Sequence, residues 1–496
     1  MPPAVPLPTR PAPTGPTAAA CLDALRTSLL GAADAWVETS LAAKGWTDVP
    51  HARAEEWASG PLPVARFLAR LAQGRGLAPA HDRSVDGCSV HAAATLSGGD
   101  RLLLFGHSAE LHVGPDQPGT GAANGGIGLV LGAGNVTATP ILDVLEQVFV
   151  HGRAVVCKPS PLHDRMVPVF AQALQPLLAA SVVTFAHGDA AVGQDLAHDP
   201  RVTAVHLTGS HHTWAALRFD PALVGKDLTA EVGCCTPALV LPGAWPEREL
   251  AAMARQLAAY VACNGGATCL APRALLTPQH WPERVLFLQM LTRELAALPA
   301  RVPFHPGVRA HWERVRGRPS PGAALPPCLV EDRRDPAAWA GLREEPFAPA
   351  LQEFTLPAEE YAAFVGAHCF GRLSAYVFAS RATLQKDRAG VRRVAAALPH
   401  GTVAVNTWTG LGYGLGTTPW GVPPSSPTEF GCGTVRNTTG RVVQRTIVQA
   451  PLRPLVTPPW LPQHRNGAAA LRALTRHVLR PTVSGFVRTA LHALRS

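Results

Sequence analysis

A cysteine that follows a glycine-rich turn is the first candidate for chemistry, in the segment Asn264-Gly-Gly-Ala-Thr-Cys269. Backbone amides in such a turn come close to a side chain and lower the pKa of a thiol, which would make Cys269 a nucleophile. A single carboxylate, Glu231, stands in the apolar segment Leu228-Thr-Ala-Glu231-Val-Gly-Cys-Cys-Thr-Pro237. Burial there would suit it to general-base catalysis. Taken alone, a buried core thiol and a capping or ion-paired glutamate explain these two residues at least as well.

Three further segments have the composition of strand ends that bind a ligand. Val156-Cys-Lys158-Pro-Ser160 places a lysine after a predicted strand, and His206-Leu-Thr-Gly209-Ser210 places amide and hydroxyl donors there. Such positions bind ligands in open α/β sheets, and the donors suit a phosphate. Leu131-Gly-Ala-Gly134-Asn135 resembles the start of a dinucleotide fingerprint, but the third glycine is missing, so GxGxxG is not met.

The elements that must position these residues alternate between strand and helix. Apolar runs predict strands, and 3.6-residue periodicity predicts the helices between them. The predicted strands are Ile127–Leu131, Ala154–Cys157, Val182–Phe185 and Ala204–Leu207, and the predicted helices are Ile141–Val150, His163–Leu178 and Ala191–Ala197. This order indicates an open parallel sheet. Helical periodicity precedes it from about Ala18 to Leu77, a second alternating stretch runs from Pro237 to about Asn406, and Arg101–Val113 and Val442–Val448 read as further strands.

Composition excludes several classes of protein. With 496 residues, 47% hydrophobic and 16% charged, the chain is neither mostly disordered nor membrane-spanning. The net charge is +9, but residues 451–496 hold seven arginines and no acidic residue. Residues 1–450 are therefore nearly neutral, which argues against a nucleic-acid-binding protein. Ten cysteines without zinc-ligand spacing indicate reduced thiols, a cytoplasmic location and no metal site. Of only four lysines, Lys44, Lys226 and Lys386 are expected in solvent.

The order of the motifs along the chain is more specific than any one of them. Together they resemble the NAD(P)-dependent aldehyde dehydrogenase superfamily over roughly residues 22–451. In chain order the matching pieces are Gly134-Asn135, Cys157-Lys158-Pro-Ser160, Leu207-Thr-Gly-Ser210, Ala230-Glu231-Val-Gly233 with Thr236-Pro237, Asn264-Gly-Gly-Ala-Thr-Cys269, Glu344-Glu345-Pro-Phe347-Ala-Pro349, Val405-Asn406 and Pro419-Trp-Gly421.

The resemblance implies an α/β, aldehyde dehydrogenase-like fold. It has a Rossmann-like cofactor domain, a second α/β catalytic domain and a small β oligomerisation element. The expected parts are a disordered proline-rich leader (1–17), the cofactor domain (18–230, with 104–122 in the oligomerisation element), the catalytic domain (231–430), an oligomerisation strand (431–450) and a basic amphipathic tail (451–496). Family members form dimers or dimers of dimers, so a homodimer or homotetramer is expected.

The implied reaction is oxidation of a small-molecule aldehyde to the carboxylic acid with NAD(P)+ and water. Cys269 occupies the place of the nucleophile, which forms a thiohemiacetal and then a thioester. Asn135 matches the amide that stabilises the oxyanion, with the Cys269 backbone N–H as its partner. Glu231 matches the base that activates water.

For the cofactor, the resemblance implies six residues. Lys158 and Ser160 would lie at the adenosine ribose, Gly209 and Ser210 at the pyrophosphate, Glu345 at the nicotinamide ribose and Phe347 beside it. No carboxylate stands at Pro161, where NAD-preferring members often carry glutamate. The choice between NAD and NADP is therefore open, and NAD is favoured as the commoner cofactor of the family.

Departures from the family pattern keep two other functions open. Cys234 replaces a glycine close to the nicotinamide, and Ala267-Thr268 replaces the usual Gln-Cys. A non-catalytic binding protein on the same fold would tolerate such changes. A CoA-acylating dehydrogenase or acyl-CoA reductase is the other alternative, although those enzymes typically lack the base that Glu231 would provide.

The tail predicts two amphipathic helices, in Ala468–Arg480 and Gly485–Leu494. Packing on the enzyme body or on a sister subunit is the favoured interpretation. Weak contact of residues 468–495 with an anionic membrane surface is the alternative.

Overall fold

The structure is a computed structural model that describes residues 5–74, 77, 80–93, 104–118, 125–320, 322–333, 336–423 and 428–495. The helices are α1 (Gly15–Lys44), α2 (Ala52–Ser59), α3 (Pro61–Ala72), α4 (Thr139–Phe149), α5 (Val167–Ala173), α6 (Gln175–Ala179), α7 (Ala190–His198), α8 (His211–Arg218), α9 (Glu247–Ala262), α10 (Arg284–Ala296), α11 (Val308–Arg316), α12 (Pro336–Ala340), α13 (Tyr361–His368), α14 (Arg381–Lys386), α15 (Arg388–Ala397), α16 (Gly410–Gly414), α17 (Gly467–Leu479) and α18 (Val483–Leu494).

The strands form two large sheets and one small one. They are β1 (Ala80–Val85), β2 (Cys88–Ala92), β3 (Ser108–Pro118), β4 (Ile127–Leu131), β5 (Ala154–Lys158), β6 (Val183–Phe185), β7 (Val202–Gly209), β8 (Asp227–Val232), β9 (Thr236–Val240), β10 (Pro272–Pro278), β11 (Cys328–Val330), β12 (Ala350–Leu356), β13 (Ser374–Phe378), β14 (Thr402–Val405), β15 (Trp420–Gly421), β16 (Thr434–Val435) and β17 (Arg441–Gln449).

The first large sheet is parallel, with strand order β6-β5-β4-β7-β8. Its inner strands are apolar and buried, as expected when helices cover both faces. The strand order reverses between β4 and β7, so the carboxyl ends of these two strands diverge and leave a crevice. Residues 132–135 leave β4 at that crevice, and Gly209 and Ser210 leave β7 there.

The second large sheet has the order β1-β2-β3-β17-β14-β13-β9-β10-β12-β11. Strands β17 through β11 are parallel, whereas β1, β2 and β3 extend one edge in antiparallel register. Strand β3 pairs with β17, with Leu111 opposite Thr446. The segments that were expected to form the oligomerisation element are thus paired within one chain. The two sheets confirm the predicted α/β fold with a Rossmann-like half and a second α/β half.

Some expected boundaries differ from the structure. The border at residue 230/231 falls inside β8, and β1 and β2 lie in the second sheet although their residues were expected in the cofactor domain. The expected leader does not end at residue 17, because α1 begins at Gly15 and the Thr9 and Arg10 amides donate to the Ser181 carbonyl oxygen. Parts of four predicted features lie outside the described residues. They are residues 1–4 of the leader, 101–103 of the predicted strand, 119–124 at the oligomerisation element and 496 of the tail.

Three helices at the amino terminus and α17 near the carboxyl terminus form a layer against the first sheet. Helix α1 packs on α3 and α5, and α17 packs on α2 and α3. Trp36 and Phe67 are fully buried in this layer. In the described part of the chain, no helix is both long enough and apolar enough to cross a membrane.

Candidate active site

A cavity of about 510 Å³ opens between the two sheets. All nine residues singled out from the sequence line it, although they come from six separate segments: Asn135, Lys158, Ser160, Gly209, Ser210, Glu231, Cys269, Glu345 and Phe347. The fold therefore brings the whole predicted set together.

Cys269 is positioned by a turn that needs glycine. Asn264, Gly265 and Gly266 all have positive φ, at 53°, 62° and 78°. A Cβ on Gly266 would overlap the backbone of Ala348 and Pro349, so a larger residue cannot occupy the turn. The carbonyl oxygen of Cys269 accepts a hydrogen bond from Thr236 Oγ1 at 2.8 Å, which fixes the backbone of the nucleophile candidate.

The environment of Cys269 disfavours the thiolate in the protein alone. Burial raises the pKa of the Cys269 thiol well above its usual range, and the negative charges of Glu231 and Glu345 raise it further. A bound cation in the cavity would act in the opposite direction.

Glu231 ends β8 and is 5% exposed. Its Oε1 accepts a hydrogen bond from Trp420 Nε1 at 2.9 Å. Burial raises the pKa of Glu231 to about 7, with a further contribution from the charge of Asp143, while Arg436 and the Trp420 hydrogen bond oppose the shift. The carboxylate is therefore poised to gain or lose a proton near neutral pH.

Asn135 leaves the β4 strand end with its side-chain amide free for a ligand. The structure shows no hydrogen bond from that amide to any described residue, while its backbone carbonyl accepts one from Asn264 Nδ2 at 2.9 Å. The same Asn264 amide donates to the Ala267 carbonyl at 2.8 Å. One side chain thus ties the Asn135 segment to the Cys269 turn.

A buried ion pair holds Asn264, and this feature was not predicted. Lys44 Nζ donates to Glu56 Oε1 at 2.5 Å and to Asn264 Oδ1 at 2.9 Å, and Ser40 Oγ donates to Glu56 Oε2. Lys44 is only 7% exposed, so its expected place in solvent is wrong. The signal that could have found it is its position three residues after Leu41, on the buried face of α1.

The residues expected at the adenosine end lie around the crevice. Lys158 is buried at the end of β5, its Nζ has only a long contact of 3.4 Å with the Pro159 carbonyl, and burial lowers the pKa of its ammonium group. Ser210 caps the amino terminus of α8 through the Thr213 amide, which leaves the remaining amides there free for an anion. Ser160 Oγ accepts from the Leu162 amide at 3.4 Å and lies so close to Gly134 that a Cβ on that glycine would overlap it.

Glu345 reaches across the cavity to Gly233, which ends the turn after β8. A Cβ on Gly233 would overlap the Glu345 carboxylate. Glu345 Oε1 is buried without a hydrogen-bond partner among the described residues, and burial raises the pKa of Glu345 to about 8, opposed by Arg273. Phe347 lies at the same end, its ring 5.0 Å from that of His305.

Arg273 is a second residue that the sequence did not single out. It is 1% exposed and donates to the backbone carbonyls of Ala348 and Gly266. It therefore clamps the loop that carries Glu345 and Phe347 against the Cys269 turn.

Cys234, one of the departures from the family pattern, is fully buried. Its thiol contacts Thr236 Oγ1 at 3.0 Å and lies 3.9 Å from the Cys269 carbonyl. Burial raises the pKa of the Cys234 thiol to about 11, so the group is neutral at physiological pH. These contacts agree with a packing variant.

Part of the chain is similar in sequence to known proteins. A sequence profile described as "Aldehyde dehydrogenase family" matches residues 126–311, which include seven of the nine predicted residues but neither Glu345 nor Phe347. This part of the chain is therefore similar to the aldehyde dehydrogenase family. The chain is 25% identical over 293 residues to 4-trimethylaminobutyraldehyde dehydrogenase A of Danio rerio, across 52% of this chain and 54% of that one. The chain thus spans about half the length of that curated relative.

Solved structures of aldehyde dehydrogenases have the same fold over most of the chain. The Mycobacterium tuberculosis aldehyde dehydrogenase complexed with NAD+ is 17% identical, with a TM-score of 0.61 over 88% of this chain and 85% of that one. The glyceraldehyde-3-phosphate dehydrogenase of Methanocaldococcus jannaschii complexed with NADP is 15% identical, with a TM-score of 0.60 over 87% and 90%.

Proposed function

We propose that this protein is a member of the aldehyde dehydrogenase superfamily. It would oxidise an aldehyde to the carboxylic acid, with NAD(P)+ as the hydride acceptor and water as the final nucleophile. The observation that carries the proposal is the convergence of Cys269, Glu231 and Asn135 on one cavity whose other end holds Lys158 and the amides of α8. A thiol, a carboxylate with a pKa of about 7 and a free amide are the groups that this chemistry needs.

In the first step the Cys269 thiolate attacks the aldehyde carbon and forms a thiohemiacetal. The negative charge moves to the former carbonyl oxygen, where the Asn135 amide and the Cys269 backbone N–H donate hydrogen bonds. Asn264 contributes by holding the Asn135 backbone and the Cys269 turn at a fixed separation.

The cavity residues fit a dinucleotide. Lys158 and the α8 amides offer positive potential to a pyrophosphate, and the unpartnered buried Glu345 Oε1 can accept a hydrogen bond from a ribose hydroxyl. When bound, NAD(P)+ accepts the hydride that leaves the thiohemiacetal carbon. We favour NAD as the commoner cofactor of the family. NADP is the alternative, because Pro161 offers no carboxylate to repel a 2′-phosphate.

Loss of the hydride leaves a thioester on Cys269, which must then be hydrolysed. Glu231 in its ionised form takes a proton from water as the water oxygen attacks the thioester carbon. The carboxylic acid leaves, and the Cys269 thiol is restored.

Two other functions are separated from this one by the same assay. A CoA-acylating enzyme would resolve the thioester with a thiol, but Glu231 favours water. A non-catalytic binding protein would retain the cofactor residues without turnover, but the free Asn135 amide beside the Cys269 turn favours catalysis.

The test is formation of reduced nicotinamide with a panel of aldehydes, with NAD+ and NADP+, and with and without CoA. We expect turnover without CoA that is lost in Cys269→Ala and retained in the control Cys21→Ala, a thiol on α1 outside the cavity. Turnover only with CoA would contradict water as the nucleophile. Cofactor binding without turnover under any condition would favour the binding protein.

We also propose that the chain forms homodimers or homotetramers. Strand β1 lies at an edge of the second sheet, and an edge strand offers unpaired backbone groups to another copy. Light scattering on the eluted protein checks this, and a monomer mass at micromolar concentration would contradict it.

A cytoplasmic location is proposed from the thiols. All ten cysteines are free, and a catalytic thiol requires a reducing compartment. Fractionation of the producing cells tests this, and recovery with exported proteins would count against it.

A further inference from the structure

Helix α18 turns a stripe of large apolar side chains to solvent. They recur at spacings of three and four residues along one face of the helix, the pattern of a surface that is normally buried. Their exposed fractions are 83% for Val483, 37% for Phe486, 48% for Val487, 51% for Leu491 and 62% for Leu494. The buried residues of α18 are the small Thr489 and Ala493, and α18 packs on α17. Val483, Val487, Leu491 and Leu494 therefore point away from the rest of the protein, while Phe486 lies at the edge of the stripe, its ring 6.2 Å from that of His477 on α17.

The stripe is held in place by hydrogen bonds at both ends of α18. Thr482 Oγ1 caps the amino terminus by accepting from the Gly485 amide at 3.0 Å. At the other end, Asn466 Nδ2 donates to the Arg495 carbonyl at 3.0 Å, and His464 Nε2 lies 3.1 Å from the Ala493 carbonyl oxygen. The cap fixes where the helix begins, and a roll of the helix that buried its apolar face would break the contacts with His464 and Asn466.

The charge around the stripe is of one sign. Residues 451–496 contain seven arginines and no acidic residue. Arg472 and Arg476 on α17 pair with Asp34. Arg480, Arg488 and Arg495 are exposed, and no ion pair joins them to another residue in the described part of the chain. The apolar stripe therefore has uncompensated positive charge at its sides.

We propose that α18 docks the protein on an anionic lipid surface. The apolar stripe would enter the boundary between headgroups and acyl chains, and the three free arginines would meet lipid phosphates. Helix α17 does not take part, because both of its arginines are held by Asp34 and its apolar face is buried against α2 and α3. The two interpretations of the tail thus apply to different helices, α17 packing on the body and α18 facing the membrane.

A second copy of the chain is the less favourable occupant. A symmetric contact through α18 would bring the unpaired arginines of both copies together with no acidic residue of the tail to offset them. An anionic bilayer supplies the missing negative charge. Docking does not depend on the proposed activity, because no residue of α18 lines the cavity.

The experiment is flotation of the full chain with vesicles of phosphatidylcholine alone or of phosphatidylcholine mixed with phosphatidylglycerol. We expect flotation with the anionic vesicles only. The double variant Phe486→Ser/Leu491→Ser should lower the partition coefficient at least about tenfold, because two large apolar side chains are lost. Arg488→Gln should lower it about fivefold.

A matched control is Val285→Ser/Leu286→Ser, which removes two exposed apolar side chains from α10. It should float as the wild type does, and all variants should keep the wild-type unfolding temperature and turnover. Equal flotation with neutral vesicles, or flotation unaffected by the Phe486/Leu491 variant, overturns the proposal. Self-association that this variant abolishes, without vesicle binding, also overturns it and assigns the stripe to a second copy.

Discussion

At the scale of single residues, the proposed role of Glu231 as the base predicts how turnover depends on pH. Because burial raises its pKa to about 7, the carboxyl group is mostly protonated below that pH and cannot act as a base. We predict that steady-state turnover rises through a pH near 7 and levels off above it.

Glu231→Gln removes the base but keeps the size of the side chain and an acceptor for Trp420. We expect a burst of about one equivalent of reduced nicotinamide, followed by turnover slowed about 100-fold or more. Rapid-mixing absorbance measures both phases. A steady-state rate equal to that of the wild type would remove Glu231 from the mechanism.

The same variant has an independent effect on stability. The folded-state pKa of Glu231 is raised, so the folded protein binds the proton more tightly than the unfolded chain, and stability falls as pH rises from about 4.5 to about 7. Above pH 7 the free energy of unfolding of Glu231→Gln should therefore be about 3 kcal/mol higher than that of the wild type, so the variant is more stable. Urea unfolding at pH 6 and pH 8 measures it, with Glu344→Gln, an exposed neighbour of Glu345, as the control.

The absence of a side chain at Gly233 leaves room for the Glu345 carboxylate. Alanine at this position would overlap the Glu345 carboxylate and displace it, while the backbone can remain in place. We predict that Gly233→Ala raises the KM for the dinucleotide about tenfold or more, by loss of about 1.4 kcal/mol or more of binding. Initial rates at varied cofactor check this. An unchanged KM would mean that Glu345 does not touch the cofactor.

At the scale of elements, the amino-terminal helices support the catalytic turn. Lys44 on α1 and Glu56 on α2 form a pair whose side chains are 4% and 2% exposed, and the pair holds Asn264. Removing one partner leaves a buried charge without compensation.

Lys44→Met should therefore lower the free energy of unfolding by about 3–5 kcal/mol and reduce kcat more than it changes KM. The double variant Lys44→Met/Glu56→Gln should recover part of the stability, because no unpaired charge remains. Denaturation curves and initial rates of the single and double variants provide the measurement. Recovery of stability without any change of kcat in either variant would limit the pair to a structural role.

At the scale of the whole molecule, the tail is attached to the body by Asp34. Arg472 and Arg476 both donate to its carboxylate, and the hydrogen bond from Arg472 is the main cause of a pKa of Asp34 below its usual range. The ionised Asp34 carboxylate therefore stabilises the folded protein at pH values above the pKa that Asp34 has in the unfolded chain. This stabilisation is lost as the pH falls through the pKa of Asp34 in the folded protein.

Asp34→Asn should loosen α17 by about 0.5–1 kcal/mol, since the three side chains are 40–50% exposed and partly screened by water. Limited proteolysis should then release the tail about two- to fivefold faster, and added salt should reduce the difference. Glu344→Gln is the control, because it removes an exposed ion pair, with Arg314 of α11, that does not involve the tail. Equal cleavage rates at low salt would show that apolar packing alone holds the tail.

The sequence by itself determined the local features of this protein. Strand β4 matches its predicted bounds, Ile127–Leu131, because a buried parallel strand needs a continuous apolar run that is visible without any partner. Lys158, Gly209 and Ser210 could be found because they lie at strand ends, and Cys269 because it follows a glycine turn. Glu345 and Phe347 lie in the loop before β12 and were identified only through the family resemblance. Glycine was required at residue 266 for a reason that only the fold reveals, the nearby backbone of Ala348.

Only the tertiary structure decided what depends on residues distant along the chain. Lys44 meets Asn264 across 220 positions and Trp420 meets Glu231 across 189, and no local pattern encodes such contacts. The pKa of Glu231 follows from burial by several elements at once. The two tail helices have similar amphipathic sequences, yet the apolar face of α17 packs on α2 and α3, whereas most of the large apolar side chains of α18 are exposed. Periodicity reports that a face is apolar, while the packing of the other elements determines whether that face is buried.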